Sequence, residues 1–241
     1  LNFTKSLKND NWIVRTKFLT YETSTIHSLG SAFNFNLSEN KDFNKSSKYE
    51  LGFSKFVKSA LFDSLKRKNI SITNFGIFDF GNQNSLNKIY SYPKSFTQHL
   101  FSYTLYEKIV QYSNYASFEY HNKDVLANLF DTLSNLHNPK NFVYAHLLMP
   151  HPSFFYASEF PFKKDNIYNY KSFWEFTNQK LTSLLKELTK ENKYRIILSG
   201  DHGYRGNKAI DAQKTFCAFY GFDSSELSQI KTVQDLGFLI N

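Results

Sequence analysis

The fold of this chain is decided by the stretch Tyr194-Arg195-Ile196-Ile197-Leu198-Ser199-Gly200-Asp201-His202-Gly203. Its apolar part predicts a buried strand, and Asp201 and His202 follow where that strand ends. In open α/β sheets, ligands bind outside the carboxyl ends of the strands. A carboxylate beside an imidazole suits a divalent cation such as Zn or Mn, and the flanking glycines let the backbone turn sharply and approach a ligand closely. The stretch therefore predicts a metal site at the edge of an α/β sheet.

Helical and strand patterns alternate along the rest of the chain. This alternation predicts an α/β fold with a mostly parallel central sheet and helices on both faces. No repeat, low-complexity tract or linker interrupts it, so we expect one domain over residues 1–241. The predicted strands are Trp12–Phe18, Ile70–Asp79, Phe142–Met149, Tyr194–Leu198 and Thr215–Tyr220, and the predicted helices are Leu1–Lys8, Ser24–Phe35, Phe53–Leu65, Phe96–Tyr112, Val125–Leu133, Phe173–Leu188 and Val233–Ile240.

Composition limits the classes of function. The chain has 241 residues and a formal net charge of +8, which is compatible with a polyanionic partner, a membrane surface or a lysine-rich exterior. Because the lysines are scattered and no nucleic-acid-binding motif is present, we expect no nucleic-acid partner. The single cysteine, Cys217, excludes an internal disulfide, and its apolar neighbours indicate a core residue rather than a nucleophile. No apolar stretch approaches the ~20 residues of a membrane span.

A hydroxyl-rich segment, Thr23-Ser24-Thr25-Ile26-His27-Ser28, marks the start of a predicted helix. Backbone N–H groups and the helix dipole favour an anion at such a junction. A Thr oxygen held against a divalent metal loses its proton more easily and becomes a nucleophile. The alternative is an ordinary helix cap without chemistry.

Two further groups are candidates for binding the reacting group. His151 follows a predicted strand and lies between Pro150 and Pro152, which fix its backbone; it suits a phosphate oxygen, a second metal or a leaving group. His146 lies inside the apolar run and suits a hydrogen-bonded core histidine. Arg205 follows the Asp-His pair and suits bidentate binding of a phosphoryl or sulfuryl group, or else an exposed loop.

Taken together and in this order, these segments resemble the sulfatase-like hydrolase/transferase family of the alkaline-phosphatase superfamily, over most of the chain. Ile196–Gly203 is similar to the family's strand that ends in its Asp-His metal pair. Phe142–Pro152 is similar to the segment that supplies a histidine near the transferred group. Thr23-Ser24-Thr25, with Ser28 three residues on, is similar to the nucleophile segment of the membrane phosphoethanolamine transferases. The pattern is nearer to phosphoethanolamine transferases and lipoteichoic-acid synthases than to true sulfatases, whose Cys/Ser-x-Pro-x-Arg motif has no match here.

The resemblance implies a metal-dependent enzyme that transfers or hydrolyses a phospho-group or sulfo-group of a lipid headgroup or surface glycan. It implies Thr25 as nucleophile, with Thr25, Asp201 and His202 as ligands of Zn or Mn. His151 and Arg205 would bind the substrate, with His151 acting in catalysis. The implied location is the cell envelope, on the outer face of the cytoplasmic membrane or in the periplasm.

One departure from the family bears on this assignment. The family's first strand ends in an Asp or Glu that completes the metal site, and it would precede the helix that begins at Leu1. We therefore expect that the chain lacks its N-terminal part, including a membrane-associating segment, and that three residues form an incomplete ligand set. The alternative of a different class is a catalytically inactive domain that binds a glycan or a protein.

Overall fold

The computed structural model describes residues 2–35, 52–81, 83–86, 97, 100, 115–136, 139–152, 154–156, 158–161, 163–206 and 211–241. The chain divides into two compact units, one formed by Leu1–Asp42 with Asn166–Asn241 and the other by Phe43–Asp165. The elements in chain order are α1 (Asn2–Asn9), β1 (Ile13–Leu19), α2 (Thr25–Ala32), α3 (Ala60–Arg67), β2 (Ser71–Phe75), α4 (Tyr115–Ser134), β3 (Asn141–Ala145), α5 (Ile167–Thr189), β4 (Ile196–Ser199), β5 (Lys214–Tyr220), a 3₁₀ turn (Val233–Asp235) and α6 (Leu236–Ile240).

The sheet of the first unit has three strands in the order β1-β5-β4. Strand β5 is antiparallel to both neighbours, and Phe219 pairs with Ile13 of β1 and with Ile197 of β4. Beyond β4 the pairing continues into the loop, because Gly200 N–H donates to the Phe216 carbonyl at 3.0 Å and Gly203 N–H to the Ala212 carbonyl at 2.8 Å. Strands β4 and β5 therefore form a hairpin-like pair, and Asp201 and His202 lie in the loop that joins them.

This arrangement corrects the prediction of a mostly parallel central sheet. Within the described residues, the sheet of the first unit is antiparallel, and only β2 and β3 of the second unit form a parallel pair, from Ser71↔Asn141 to Phe75↔Ala145. The reason is the loop after β4. Its backbone hydrogen bonds fold the chain straight back, so β5 returns beside β4 without the crossover that parallel neighbours need. The α/β class itself agrees with the prediction.

The apolar runs Phe142–Met149 and Tyr194–Leu198 also predict buried strands, and this prediction is wrong. The observed strands β3 and β4 are short and half-buried along their whole lengths. Each is an edge strand of the sheet formed by the described residues, and an edge strand has one side without a neighbouring strand. The apolar run after β3 leaves strand geometry before the cis bond between Met149 and Pro150.

Each unit has an aromatic core. In the first, Leu7, Trp12, Leu185, Ala218 and Tyr220 form one buried cluster, with the Trp12 and Tyr220 rings 5.3 Å apart. Cys217 is fully buried, and burial raises the pKa of its thiol to about 12. The interpretation of Cys217 as a core residue is therefore confirmed.

The second unit is built on stacked phenylalanines. Phe62 stacks on Phe80 at 4.3 Å and Phe56 on Phe78 at 4.5 Å. The helix predicted over Phe53–Leu65 is interrupted, because Ser59 caps α3 by accepting a hydrogen bond from Phe62 N–H at 3.4 Å. The helix predicted over Phe96–Tyr112 lies almost entirely outside the described residues. Among the helices of the described part of the chain, none combines the length and apolar character of a membrane span.

Candidate functional site

Asp201 and His202 converge on each other at the end of β4. His202 Nε2 lies 3.6 Å from Asp201 Oδ2, and both side chains are largely buried, with 10% and 20% of their areas exposed. His202 Nδ1 lies 2.8 Å from the Gly203 carbonyl. Because a carbonyl can only accept, Nδ1 carries the proton. Nε2 faces the carboxylate, whose other oxygen, Oδ1, accepts a hydrogen bond from His202 N–H at 3.0 Å.

This geometry fits a divalent cation. Two ligands of a tetrahedral zinc, each at about 2.0–2.2 Å from the metal, are separated by about 3.3–3.5 Å, close to the observed 3.6 Å between Nε2 and Oδ2. Metal-bound histidines usually donate their other ring N–H to a carbonyl or carboxylate, as His202 does to Gly203. The residue types, their spacing and the fixed tautomer therefore suit Zn or Mn.

The loop around the Asp-His pair lies so close to β5 that positions 200 and 203 require glycine. A Cβ on Gly203 would lie 2.5 Å from the Lys214 carbonyl oxygen, and a Cβ on Gly200 would lie 2.4 Å from Thr215 Oγ1. Real Cβ atoms do not approach other atoms so closely. The glycines thus let the loop lie directly against β5, which holds the Asp201–His202 backbone in place.

Thr25 is the first residue of α2, and Ser24 is its N-cap. Ser24 has the extended backbone of a cap residue but makes no side-chain capping bond. Its hydroxyl lies instead 2.5 Å from His27 Nδ1. Ser24 is therefore the cap by position, as in the alternative interpretation, and its backbone carbonyl rather than its side chain accepts from His27 N–H at 3.2 Å and Ser28 N–H at 2.9 Å.

Ser28 connects α2 to the Asp-His loop. It is fully buried, and its hydroxyl donates to the Asp201 carbonyl at 2.8 Å. Thr25 precedes Ser28 by three positions, so the two side chains lie on one helix face with their Cβ atoms about 5–6 Å apart. The fold therefore brings the start of α2 beside the loop that carries Asp201 and His202. Joint coordination of one metal by Thr25, Asp201 and His202 stays a prediction.

Arg205 follows this loop on the surface of the first unit. It is exposed. The preceding residue, Tyr204, is buried and stacks on Tyr170 with ring centroids 4.2 Å apart. The stacked pair anchors the chain immediately before Arg205 and leaves the guanidinium at the surface.

His151 belongs to the second unit, so its predicted role toward the other site residues stays a prediction. Its Nδ1 lies 2.6 Å from the Pro152 carbonyl and therefore carries the ring proton. The segment before it is clamped by Asn122 of α4, which donates to the Leu148 carbonyl at 3.2 Å and accepts from Leu148 N–H at 2.7 Å. His146 is half-buried, with Nδ1 3.0 Å from the Tyr144 hydroxyl, in agreement with the interpretation as a hydrogen-bonded histidine.

Sequence reasoning missed two groups of buried polar residues, one in each unit. The first is the buried set Thr20, Ser28 and Gln234, whose side chains hydrogen-bond one another. The second is the pair His121 and Asn122 behind the His151 segment. Only Ser28 had a signal in the sequence, through its spacing of three from Thr25. Within the described ranges, no group of three or more His, Cys, Asp or Glu residues could hold a metal ion.

Two comparisons place the chain among known proteins. The crystal structure of the C-terminal periplasmic domain of phosphoethanolamine transferase EptC from Campylobacter jejuni is similar, with a TM-score of 0.57, 16% sequence identity, and coverage of 98% of this chain and 79% of that chain. None of the curated proteins matches the sequence. The model of the Sulfatase family matches residues 2–221. The chain therefore belongs to the Sulfatase family and has the α/β fold of the alkaline-phosphatase superfamily.

Proposed function

We propose that this protein is a metal-dependent enzyme that transfers or hydrolyses a phospho-group or sulfo-group through Thr25. The observation that carries the proposal is the hydrogen bond from Ser28 Oγ to the Asp201 carbonyl. It joins the helix that begins with Thr25 to the loop with the Asp-His pair. A hydroxyl at a helix start beside a metal-binding pair is a suitable arrangement for nucleophilic attack on an anionic group.

Asp201, His202 and Thr25 would hold Zn or Mn. Bound there, the cation would stabilise an alkoxide at Thr25 and neutralise charge on the transferred group. The sequence supplies three candidate ligands, two side chains from the loop and one from α2. A tetrahedral site therefore needs at least one further ligand, from water or from protein.

The reaction would then proceed in two successive displacements at the phosphorus or sulfur atom. In the first, Thr25 Oγ1 bonds to the phosphorus or sulfur as the bond to the donor's leaving oxygen breaks in line, and the Thr25 proton is lost. The leaving oxygen gains a proton. In the second, an acceptor hydroxyl or water takes the group from Thr25 and restores its hydroxyl. The first-turn N–H groups of α2, with Arg205 and His151, would bind the non-bridging oxygens, where fixed electrostatic stabilisation is usually the largest catalytic contribution.

The substrate class follows from the resemblance. We propose a lipid headgroup, with a surface glycan as the second candidate, and a cell-envelope location at the outer face of the cytoplasmic membrane or in the periplasm. The similar structure named above is a periplasmic domain of a phosphoethanolamine transferase, which supports this class. The exposed Arg205 suits an anionic headgroup, because a guanidinium binds phosphate oxygens in pairs.

A catalytically inactive, glycan- or protein-binding domain is the second candidate function. It is the alternative that the sequence leaves open. Metal content separates the two functions. An active enzyme would bind Zn or Mn at near-unit occupancy, whereas the inactive domain would not.

The test measures covalent labelling of Thr25 by a donor substrate. The protein is loaded with Zn or Mn, incubated with an aryl-phosphate, an aryl-sulfate or a phosphoethanolamine lipid, and digested for mass spectrometry. We expect a modified Thr25 with one donor class, no label and no turnover in Thr25→Ala, and retained labelling in Thr25→Ser. The matched control is Thr23→Ala, two positions away, which should behave like the wild type. Full turnover by Thr25→Ala would remove Thr25 from the mechanism.

A further inference from the structure

Gln234 is a buried polar residue whose side chain contacts Thr20, Tyr21 and Ser28. It lies in the 3₁₀ turn Val233–Asp235 and only 1% of it is exposed. It also lies beyond residues 2–221, which the Sulfatase model matches. Burying an amide is costly unless its hydrogen bonds are made, so the partners of this side chain define what it does.

The orientation of the Gln234 amide is fixed by its partners. Tyr21 N–H can only donate, so the atom 3.2 Å from it is Oε1. The amino group Nε2 therefore faces the other way, toward Thr20 Oγ1 at 3.3 Å, Ser28 Oγ at 3.4 Å and the Ser28 carbonyl at 3.5 Å. Both hydrogens of Nε2 are directed at Thr20 and Ser28.

Gln234 is one of the donors in the hydrogen-bond network around Ser28. The single Ser28 proton goes to the Asp201 carbonyl at 2.8 Å, because a carbonyl only accepts. The Thr20 hydroxyl, 3.0 Å from Ser28 Oγ, donates to the Glu22 carbonyl at 2.9 Å. Thr20 Oγ1 already accepts from Glu22 N–H at 3.3 Å, so the Nε2 hydrogens add to this network at the Ser28 hydroxyl and carbonyl oxygens, 3.4 Å and 3.5 Å away.

We propose that Gln234 is a positioning residue, which holds Ser28 and through it the Asp201 carbonyl, and so sets the placement of the Asp-His loop against the start of α2. The function of that placement rests on the proposed function above. The effect on chemistry is expected to be large for so remote a residue, because a displacement of about 1 Å in a reactive geometry costs about 10²-fold in rate.

The experiment compares two variants of Gln234 with a matched control. Gln234→Glu keeps the shape but replaces the Nε2 donor by a carboxylate oxygen that faces the Thr20 and Ser28 hydroxyl oxygens. Gln234→Met removes the polar group and serves as the second variant if the first does not fold. Val233→Ala, in the same turn and 1% exposed, loses buried apolar contacts without touching the network.

Three measurements are made on the full chain: Zn²⁺ affinity by competition with a chelator, amide hydrogen exchange of the peptide 199–206, and kcat and KM with an aryl-phosphate. We expect Zn²⁺ affinity to fall about 10- to 100-fold in Gln234→Glu, as for other residues that orient metal ligands, and less in Gln234→Met. Exchange of the peptide should accelerate at least about tenfold, and kcat should fall with KM little changed. Val233→Ala should alter none of these beyond about twofold.

Unchanged exchange in the peptide 199–206 and unchanged Zn²⁺ affinity in both Gln234 variants would overturn the positioning role, even if the proposed function holds. Conversely, a wild-type protein that neither binds Zn²⁺ nor labels Thr25 would overturn the proposed function. The hydrogen-exchange comparison would still decide whether Gln234 holds the loop.

Discussion

Replacing Gly203 by alanine is predicted to displace the Asp-His loop. The new Cβ would lie 2.5 Å from the Lys214 carbonyl oxygen, 3.0 Å from the Asp211 carbonyl oxygen and 3.2 Å from Ala212 Cα. All three are backbone atoms, which cannot rotate away as a side chain can. The loop must therefore move away from β5, and the bond from His202 Nδ1 to the Gly203 carbonyl moves with it.

The expected cost is that of overpacking, about 1–3 kcal/mol of unfolding free energy. For a chain of this size, 1 kcal/mol lowers the melting temperature by roughly 2–4 °C, so Gly203→Ala should melt roughly 2–12 °C below the wild type. We also expect its Zn²⁺ affinity to fall, because the carbonyl that fixes the His202 ring is displaced.

Gly200→Ala is the matched comparison. Its Cβ would meet Thr215 Oγ1 at 2.4 Å, and the next contacts are at 3.8 Å. A single side-chain atom causes this conflict, so Thr215→Ala should relieve it. The double variant Gly200→Ala/Thr215→Ala should recover at least about 0.5 kcal/mol relative to the sum of the single variants.

Thermal and urea unfolding of the three single variants and of the double variants Gly200→Ala/Thr215→Ala and Gly203→Ala/Thr215→Ala measures these effects, and a Zn²⁺ competition titration follows the site. A Gly203→Ala protein that melts with the wild type would refute the reasoning from close approach. If Thr215→Ala restored the stability of Gly203→Ala as much as that of Gly200→Ala, the Thr215 side chain would not be a conflict specific to Gly200, and the reasoning would be wrong.

Three further predictions concern the second unit. His151→Ala should slow turnover about 10²–10³-fold, by analogy with removal of one oxyanion donor, while labelled Thr25 still forms; an unchanged rate would remove His151 from the site. Asn122→Asp should lower the unfolding free energy by about 1–3 kcal/mol, because a carboxylate cannot donate to the Leu148 carbonyl 3.2 Å away; urea unfolding with Asn135→Asp as an exposed control measures this. Burial lowers the pKa of His121 below 6.5, and the smaller effects of the His146 carbonyl and Asp124 oppose this shift. The unfolded chain therefore binds the proton more readily, so stability should fall as the pH drops below about 6.5. His121→Phe should flatten the acid side of a profile of melting temperature against pH, and an unaltered profile would contradict the assignment.

The sequence by itself indicated most of the elements and the residue types of the proposed site. Periodic apolar positions located α1, β1, α2, α5, β4 and β5 to within a few residues, because local patterns of burial follow the helix and strand repeats. The Asp-His pair after β4 was recognised because the two residues are neighbours in the chain, and neighbours in the chain stay close in space whatever the fold. Thr25 was predicted as a hydroxyl at a helix start, where the structure has it, and its role as nucleophile stays a prediction.

Tertiary structure alone decided how these elements meet. Strand direction in the first sheet depends on the path of the loop after β4, which folds straight back through bonds such as Gly203 N–H to the Ala212 carbonyl, and no local pattern encodes that path. The link from Ser28 to Asp201 joins residues far apart in the chain. Gln234 had no signal at all, since an isolated glutamine near a chain end is usually exposed. It acquires a role only because folding buries it between Tyr21, Thr20 and Ser28, where an unmet amide would be costly.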